Sequence, residues 1–199
     1  MRILLTGGSS DIGREFAIHR FNEGDEVFLT ASNNKSLQSN KDYFKKKNIS
    51  INHILFNFSS PEESTESIQD IFNSGGLDAL ILNAWSRNNI LKRFHNENFL
   101  ETKEYLEKNL FGNMWLIHTV LPHMVENKFG RIIFISSIST EIGTGRYAKY
   151  IIGKSALEGL VKNLAVDYGK YNILSNTIKL GLFKTSRTEN FWKDETYQP

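Results

Sequence analysis

Residues 1–17, M-R-I-L-L-T-G-G-S-S-D-I-G-R-E-F-A, decide the fold. The apolar run Arg2 to Thr6 predicts a short buried strand; a Gly/Ser-rich turn follows, and Ile12, Phe16 and Ala17 then recur at helical spacing. Strand, glycine-rich loop and helix in that order make a phosphate-binding turn. Glycines let the backbone approach a pyrophosphate closely, and the first amides of the helix supply donors and a favourable dipole. The general dinucleotide fingerprint G-x-G-x-x-G is not met here, so the loop alone leaves its ligand open.

Outward from this unit the chain alternates. Glu26 to Thr30, Ile51 to Phe56, Ala79 to Asn83, Arg131 to Ser136 and Ile173 to Ile178 have the short apolar pattern of strands. Ile12 to Asn22, Ser36 to Lys47, Ser64 to Asn73, Asn98 to Asn127 and Tyr147 to Tyr168 have the pattern of helices, with Pro122 near the end of the fourth. Strands alternating with helices imply right-handed crossovers and an α/β fold with a doubly wound parallel sheet in three layers. Ligands of such sheets bind at the carboxyl ends of the strands, near the switch in strand order. Thr6, Asn83, Ser137 and Gly181 fall at such ends.

The chemistry is carried by Tyr150 and Lys154, four residues apart in Y-I-I-G-K and thirteen residues after Ser137 in R-I-I-F-I-S-S-I-S. Residues i and i+4 share one helix face, which brings the Lys154 ammonium toward the Tyr150 phenol. A free tyrosine titrates near ~10, and a fixed cation beside it favours the phenolate and lowers that value. Ser137, at the end of the preceding strand, is placed to hydrogen-bond the same substrate oxygen that Tyr150 protonates, giving general acid catalysis with a polarising donor. An ordinary helix pair is the plain alternative for Y-x-x-x-K on its own.

Together these segments resemble the short-chain dehydrogenase/reductase family from Arg2 to Thr185. T-G-G-S-S-D-I-G is similar to the family's T-G-x-x-x-G-x-G loop, with Thr6, Gly7 and Gly13 in place and Asp11 where the middle glycine usually stands. L-D-A-L-I-L-N-A-W resembles the strand ending in N-N-A-G, keeping Asn83 and Ala84 but carrying Leu82 and Trp85; E-K-N-L-F-G-N presents Asn109; and S-N-T-I-K-L-G-L-F-K-T keeps Gly181 and Thr185, with Leu180 for the usual proline. The resemblance implies a Rossmann-type sheet in the order 3-2-1-4-5-6, a single NAD(P)-binding domain over residues 1–199, and an NAD(P)-dependent oxidoreductase acting on a small alcohol or carbonyl compound. Tyr150 would be the acid or base and Ser137 would orient the reacting oxygen. Lys154 would lower the tyrosine pKa and hold the ribose, and Asn109 would position a water. The implied cofactor contacts are Thr6, Gly7, Ser9, Ser10, Asp11, Ile12, Gly13, Ser32, Asn33, Asn57, Phe58, Asn83, Ala84, Tyr150, Lys154, Gly181 and Thr185. The second strand ends in F-L-T-A-S-N-N-K, with no acid to hold a ribose 2′-hydroxyl, so NADP is expected over NAD, with Ser32, Asn33 and Lys35 near the 2′-phosphate.

Composition agrees. A chain of 199 residues with 40% hydrophobic and 23% charged residues is ordinary for one globular unit, and a net charge of +2 does not argue for nucleic acid. No cysteine means no disulfide and no thiolate metal site, the five histidines lie in no ligating pattern, and no metal is expected. The opening apolar run is too short for a signal peptide or a membrane span, which leads to the expectation of a cytoplasmic protein. Lys45 to Lys47 mark a solvated helix end. Asp11 is expected to cap the first helix. The sequence stops fourteen residues after Thr185, where the family continues through a substrate lid and a seventh strand, so the sixth strand is expected at an exposed edge. The resemblance implies packing of the two long helices against a second copy, and Phe111, Trp115, Leu157, Leu160 and Leu164 exceed what one sheet face buries, so a homodimer or homotetramer through these helices is expected. The alternative function is a nucleotide-binding or assembly protein on the same scaffold with little turnover.

Overall fold

A computed structural model describes residues 1–86, 91–186 and 188–189. Six parallel strands lie in the order β3-β2-β1-β4-β5-β6. They are β1 (Arg2–Leu5), β2 (Glu26–Ala31), β3 (Asn52–Leu55), β4 (Ala79–Leu82), β5 (Gly130–Ser137) and β6 (Ile173–Leu180). The helices between them are α1 (Asp11–Asn22), α2 (Asn34–Lys45), α3 (Thr65–Asn73), α4 (Phe99–Leu106), α5 (Gly112–Asn127), a one-turn α6 (Ser139–Ile142) and α7 (Ala148–Tyr168). The strand order reverses between β1 and β4, which pair directly with Ile3 opposite Ala79, and the crevice opens at the carboxyl ends of these two strands.

Alternation along each strand sends side chains to two cores. Ile3, Leu5, Val27, Leu29 and Ile81 pack under α1 and α2 with Ala17 and Phe44. Leu4, Phe28, Leu80, Leu82, Ile132 and Phe134 pack under α3, α5 and α7 with Ile68, Leu116, Val120, Leu157 and Val161. On the first face Ile133 and Ile135 of β5 are partly buried against this core, while Leu174 and Ile178 of β6 are 47% and 46% exposed. That agrees with the exposed edge expected of the sixth strand; the expectation of a missing lid and seventh strand concerns residues 187 and 190–199, which lie outside the described residues.

The fourth sequence helix is broken where one was expected. Glu107–Phe111 widens into a single π turn between α4 and α5, which inserts one residue and re-aims the buried Asn109. Pro122 lies inside α5, which runs on to Asn127. The apolar residues expected at a partner interface divide differently as well. Leu157 and Leu164 are fully in the core, Trp115 and Leu160 pack against it half-buried, and Phe111 alone of the five is exposed. Side chains on α5 and α7 were needed to cover a twisted six-stranded sheet, so the apolar surplus is smaller than the sequence suggested.

Candidate active site

The turn after β1 is tied by neutral hydrogen bonds. The Thr6 hydroxyl accepts from the backbone N–H groups of Asn83 (3.0 Å) and Ala84 (2.9 Å), which joins the ends of β1 and β4. Asn83 Nδ2 donates to the carbonyls of Thr6 (3.1 Å) and Gly7 (3.2 Å) and to Ser10 Oγ (3.1 Å). Asn83 therefore braces the loop from below. Gly7 sits at φ +74, and a Cβ there would stand 2.9 Å from Ala84 Cα, so only glycine lets the two turns close. Ser10, not Asp11, caps α1: its hydroxyl accepts from the Gly13 N–H at 3.0 Å and donates to the Gly7 carbonyl at 2.9 Å. Asp11 is the first helical residue, and its carboxylate accepts from the Ser186 N–H at 2.6 Å, which brings the segment carrying Thr185 back against the start of α1. Thr185 is in turn bonded to Thr188.

At the other end of the crevice Ser137 closes β5, and Tyr150, Gly153 and Lys154 come from the first turns of α7. Tyr150 lies close enough to Ser137 for the serine hydroxyl to favour the phenolate. Lys154 behaves otherwise. Its ammonium is 4% exposed, donates to the Ile135 carbonyl at 2.6 Å and lies 4.2 Å from the ring centroid of Trp85, 4.7 Å from Phe134 and 5.8 Å from Tyr150. Burial pushes it down to about 7, with Glu158 pulling the other way. The expected lowering of the tyrosine is not what this geometry gives. Burial raises the Tyr150 phenol above its ordinary value, the Ser137 hydroxyl offsets part of this, and Tyr147 adds to the rise.

Trp85 creates that dry environment. Its indole N–H donates to the Tyr105 hydroxyl at 2.9 Å, and the hydroxyl donates on to the Ser86 carbonyl at 3.1 Å. The ring meets Tyr150 edge to face at 6.2 Å and fills the notch left by Gly153, where a Cβ would stand 3.0 Å from the indole. Beside it, Asn109 Oδ1 accepts from the Ser86 N–H at 2.6 Å and Nδ2 donates to the Tyr105 carbonyl at 2.8 Å. Asn109 thus clamps the turn after β4 to the π turn. Its own carbonyl accepts from Asn113 at 2.6 Å, which occupies a backbone group the π turn releases.

An open cleft runs between these ends, lined among others by Gly7, Ser9, Ser32, Phe58, Ala84 and Asn109. Six of the expected site residues meet there. Trp85, Ser86, Lys108 and Asn113 also line it, and Tyr150 and Lys154 stand behind Trp85 rather than on its wall. Asn33 is spent capping α2, accepting from the Ser36 N–H at 2.9 Å, and Asn57 Oδ1 accepts from the Ser59 N–H at 3.1 Å. Gly181 lies at an exposed turn just past β6, and Ile12 is exposed on α1. Sequence reasoning missed Lys108, Tyr105 and Glu158. The last had a signal: Glu158 continues the four-residue ladder of Tyr150 and Lys154 on the buried stripe of α7. Among the described residues no group of His, Asp or Glu is disposed to hold a metal, and no helix is long and apolar enough to cross a membrane.

The model of the short chain dehydrogenase family matches residues 1–196. The chain is 31% identical over 193 residues to the 3-oxoacyl-acyl-carrier-protein reductase FabG of Escherichia coli, covering 96% of this chain and 77% of that protein. It is 27% identical over 198 residues to the gluconate 5-dehydrogenase of Gluconobacter oxydans, covering 98% and 76%. It thus spans about three quarters of the length of these curated relatives. A solved gluconate 5-dehydrogenase from Burkholderia cenocepacia, in complex with NADP and tartrate, superposes with a TM-score of 0.85 at 23% identity, covering 98% of this chain and 76% of that one, and shares the fold. The chain belongs to the short-chain dehydrogenase/reductase family, a family of NAD(P)-dependent oxidoreductases.

Proposed function

We propose that residues 1–199 of this short-chain dehydrogenase/reductase form one dinucleotide-binding unit that reduces or oxidises a small alcohol or carbonyl compound in the cytoplasm, with NADP as the preferred cofactor. The observation that carries this is the cleft floored by the glycine loop at the switch in strand order, with Ser137 at the end of β5 and Tyr150 and Lys154 one helical turn apart on α7 behind the Trp85 ring that lines it. The cleft suits a dinucleotide: it offers the backbone of Gly7, the hydroxyls of Ser9 and Ser32 and the apolar face of Phe58, and the N-terminus of α1 stands beside it. Gly7, Ser9, Ser10, Asp11, Ile12 and Gly13 would flank the pyrophosphate, Ser32, Asn33 and Lys35 a 2′-phosphate, Asn57 and Phe58 the adenine, and Gly181 and Thr185 the nicotinamide. Bound there, the cofactor supplies or accepts the hydride.

The chain's own part is proton handling and orientation. In reduction the Tyr150 phenol gives its proton to the carbonyl oxygen, while the Ser137 hydroxyl holds that oxygen in place. In oxidation the proton returns. A phenol raised by burial keeps its proton at neutral pH, which favours the reductive direction. Asn109 and Asn83 hold the two turns that bound the cleft, and a water on Asn109 would connect the site to solvent. Nothing in the site favours the binding-only alternative.

Oxidation of NADPH and NADH, followed with a panel of aldehydes, ketones and sugar derivatives at one salt concentration, tests the proposal. NADPH-dependent turnover that Tyr150→Phe removes supports it; binding of both cofactors without turnover on any compound would favour the binding-only alternative, and tighter binding of NADH would overturn the NADP preference. We propose a homodimer or homotetramer through the two long helical segments, 98–127 and α7; on the first, Phe99, Leu100 and Phe111 are 76%, 75% and 56% exposed. Light scattering that shows a monomer at micromolar concentration would exclude it.

A further inference from the structure

Glu158 takes no part in the chemistry above, yet it is 6% exposed on the buried stripe of α7 that carries Lys154. A carboxylate in such a place is costly unless it is paired and hydrogen-bonded. Here it is both. The Ser136 hydroxyl donates to Oε1 at 2.5 Å, and the Lys179 ammonium lies 3.0 Å from Oε2. These partners hold Glu158 ionised, below the usual carboxylate range, despite its burial.

The buried cation on the same stripe is Lys154. Lys154 and Glu158 are one helical turn apart on α7, and their heads end on adjacent residues of β5, Lys154 on the Ile135 carbonyl and Glu158 on the Ser136 hydroxyl. Around Lys154 the other groups are aromatic: Trp85, Phe134 and Tyr150 offer ring faces, which attract a cation far less than water solvates it. The titratable and charged groups on the packed elements are few. They are Tyr150 and Tyr147 at the start of α7, Tyr105 of α4 reached through Trp85, Lys149 paired with Glu97 at 3.2 Å, Lys179 of β6, and Glu141 of α6, which binds Lys179 at 2.9 Å. Glu158 is the anion within this set that acts on Lys154.

We propose that Glu158 is a positioning residue: it is the fixed counter-charge that keeps the buried Lys154 ammonium protonated and seated at the carboxyl end of β5, and Lys179 sets how much of that charge Lys154 feels. The catalytic consequence rests on the hydride-transfer function proposed above. The electrostatic claim does not.

The test is a pH titration of the Lys154 ε-methylene by NMR in lysine-labelled protein without cofactor, its signal assigned with Lys154→Arg. Glu158→Gln keeps the shape and loses the charge, so the Lys154 midpoint should fall by about one pH unit or more. Lys179→Met removes the cation that competes for Glu158, so the midpoint should rise. Both variants disturb one packed network, and opposite shifts are something a merely structural role would not produce. An unmoved midpoint in Glu158→Gln, or shifts of the same sign in both variants, overturns the inference. Where turnover is found, its loss at high pH should begin at lower pH in Glu158→Gln than in wild type, and an unchanged profile beside a shifted NMR midpoint overturns the catalytic consequence. Absence of all turnover in wild type counts against the hydride-transfer function alone, because the NMR midpoints still decide the electrostatic claim.

Discussion

The two ends of the crevice are held by different forces. At β1 and β4 the ties are amide and hydroxyl groups, Thr6, Ser10 and Asn83, none of which titrates in the working range. At β5, β6 and α7 they are ions, most of them taken out of water: Lys154, Glu158 with the partly exposed Lys179, and Lys149 with Glu97, the last pair 8% and 3% exposed. A neutral net can hold backbone groups at a fixed spacing whatever the pH, which suits a loop that must present amides to a phosphate. An ionic net can shift a neighbour's proton affinity, which a neutral net does far less. On the function proposed above, holding and proton handling are separated along one crevice.

The largest test of that division is Tyr150→Phe, which should cut turnover by about a hundredfold to ten-thousandfold with cofactor affinity nearly unchanged, as read by steady-state kinetics and binding titration. Next is the pH response of stability. Lys154 is held at about 7 in the fold against 10.5 unfolded, so below pH 7 the folded chain bears the full cost of a buried ammonium, and between pH 7 and 10.5 it binds fewer protons than the unfolded chain, so that cost fades as pH rises. Lys154→Met should therefore gain on wild type by on the order of 3 kcal/mol between pH 10 and pH 6, measured by denaturant unfolding across that range. A gap that does not vary with pH would show that Lys154 is not desolvated in solution. Asn83→Ala should cost about 1–3 kcal/mol, the same at pH 6 and pH 10, because it strips donors from buried carbonyls rather than moving charge. The smallest effect is expected from Ser10→Ala, about 1 kcal/mol for a lost cap, again without pH dependence; a pH-dependent loss at either neutral position would break the contrast.

The holding end was legible in the sequence and the proton-handling end only in outline. Strand, loop and helix follow from local pattern, and Thr6, Gly7 and Asn83 sit where short-range turn geometry requires them. Tyr150, Lys154 and Ser137 were likewise found by spacing, since four residues on a helix fix a face. What spacing does not fix is where a long side chain ends. Lys154 turns to the Ile135 carbonyl because Trp85 closes over it, and that depends on the meeting of the turn after β4 with α7, far apart in the chain. The same holds for Glu158 and Lys179, which meet only because β6 lies beside β5. The π turn at Glu107–Phe111 was invisible for another reason: one inserted residue leaves the apolar pattern of α4 and α5 nearly intact on either side. Asp11 was assigned a cap that Ser10 holds, because two good capping residues stand next to each other and the helix starts one residue earlier than a cap at Asp11 would need.

The fit of Trp85 into the notch at Gly153 is a single decision written at two places in the chain. A methyl group on α7 would stand only 3.0 Å from the indole, and an alanine there would have to shift the ring that lies over the Lys154 ammonium by a few tenths of an ångström. Among related sequences the two positions should therefore change together: chains that keep a large aromatic ring after the N-A pair should keep glycine one residue before the lysine, and chains with glycine after N-A should be free to carry alanine or serine there. Such covariation would be an inherited record of this packing contact, readable without any structure.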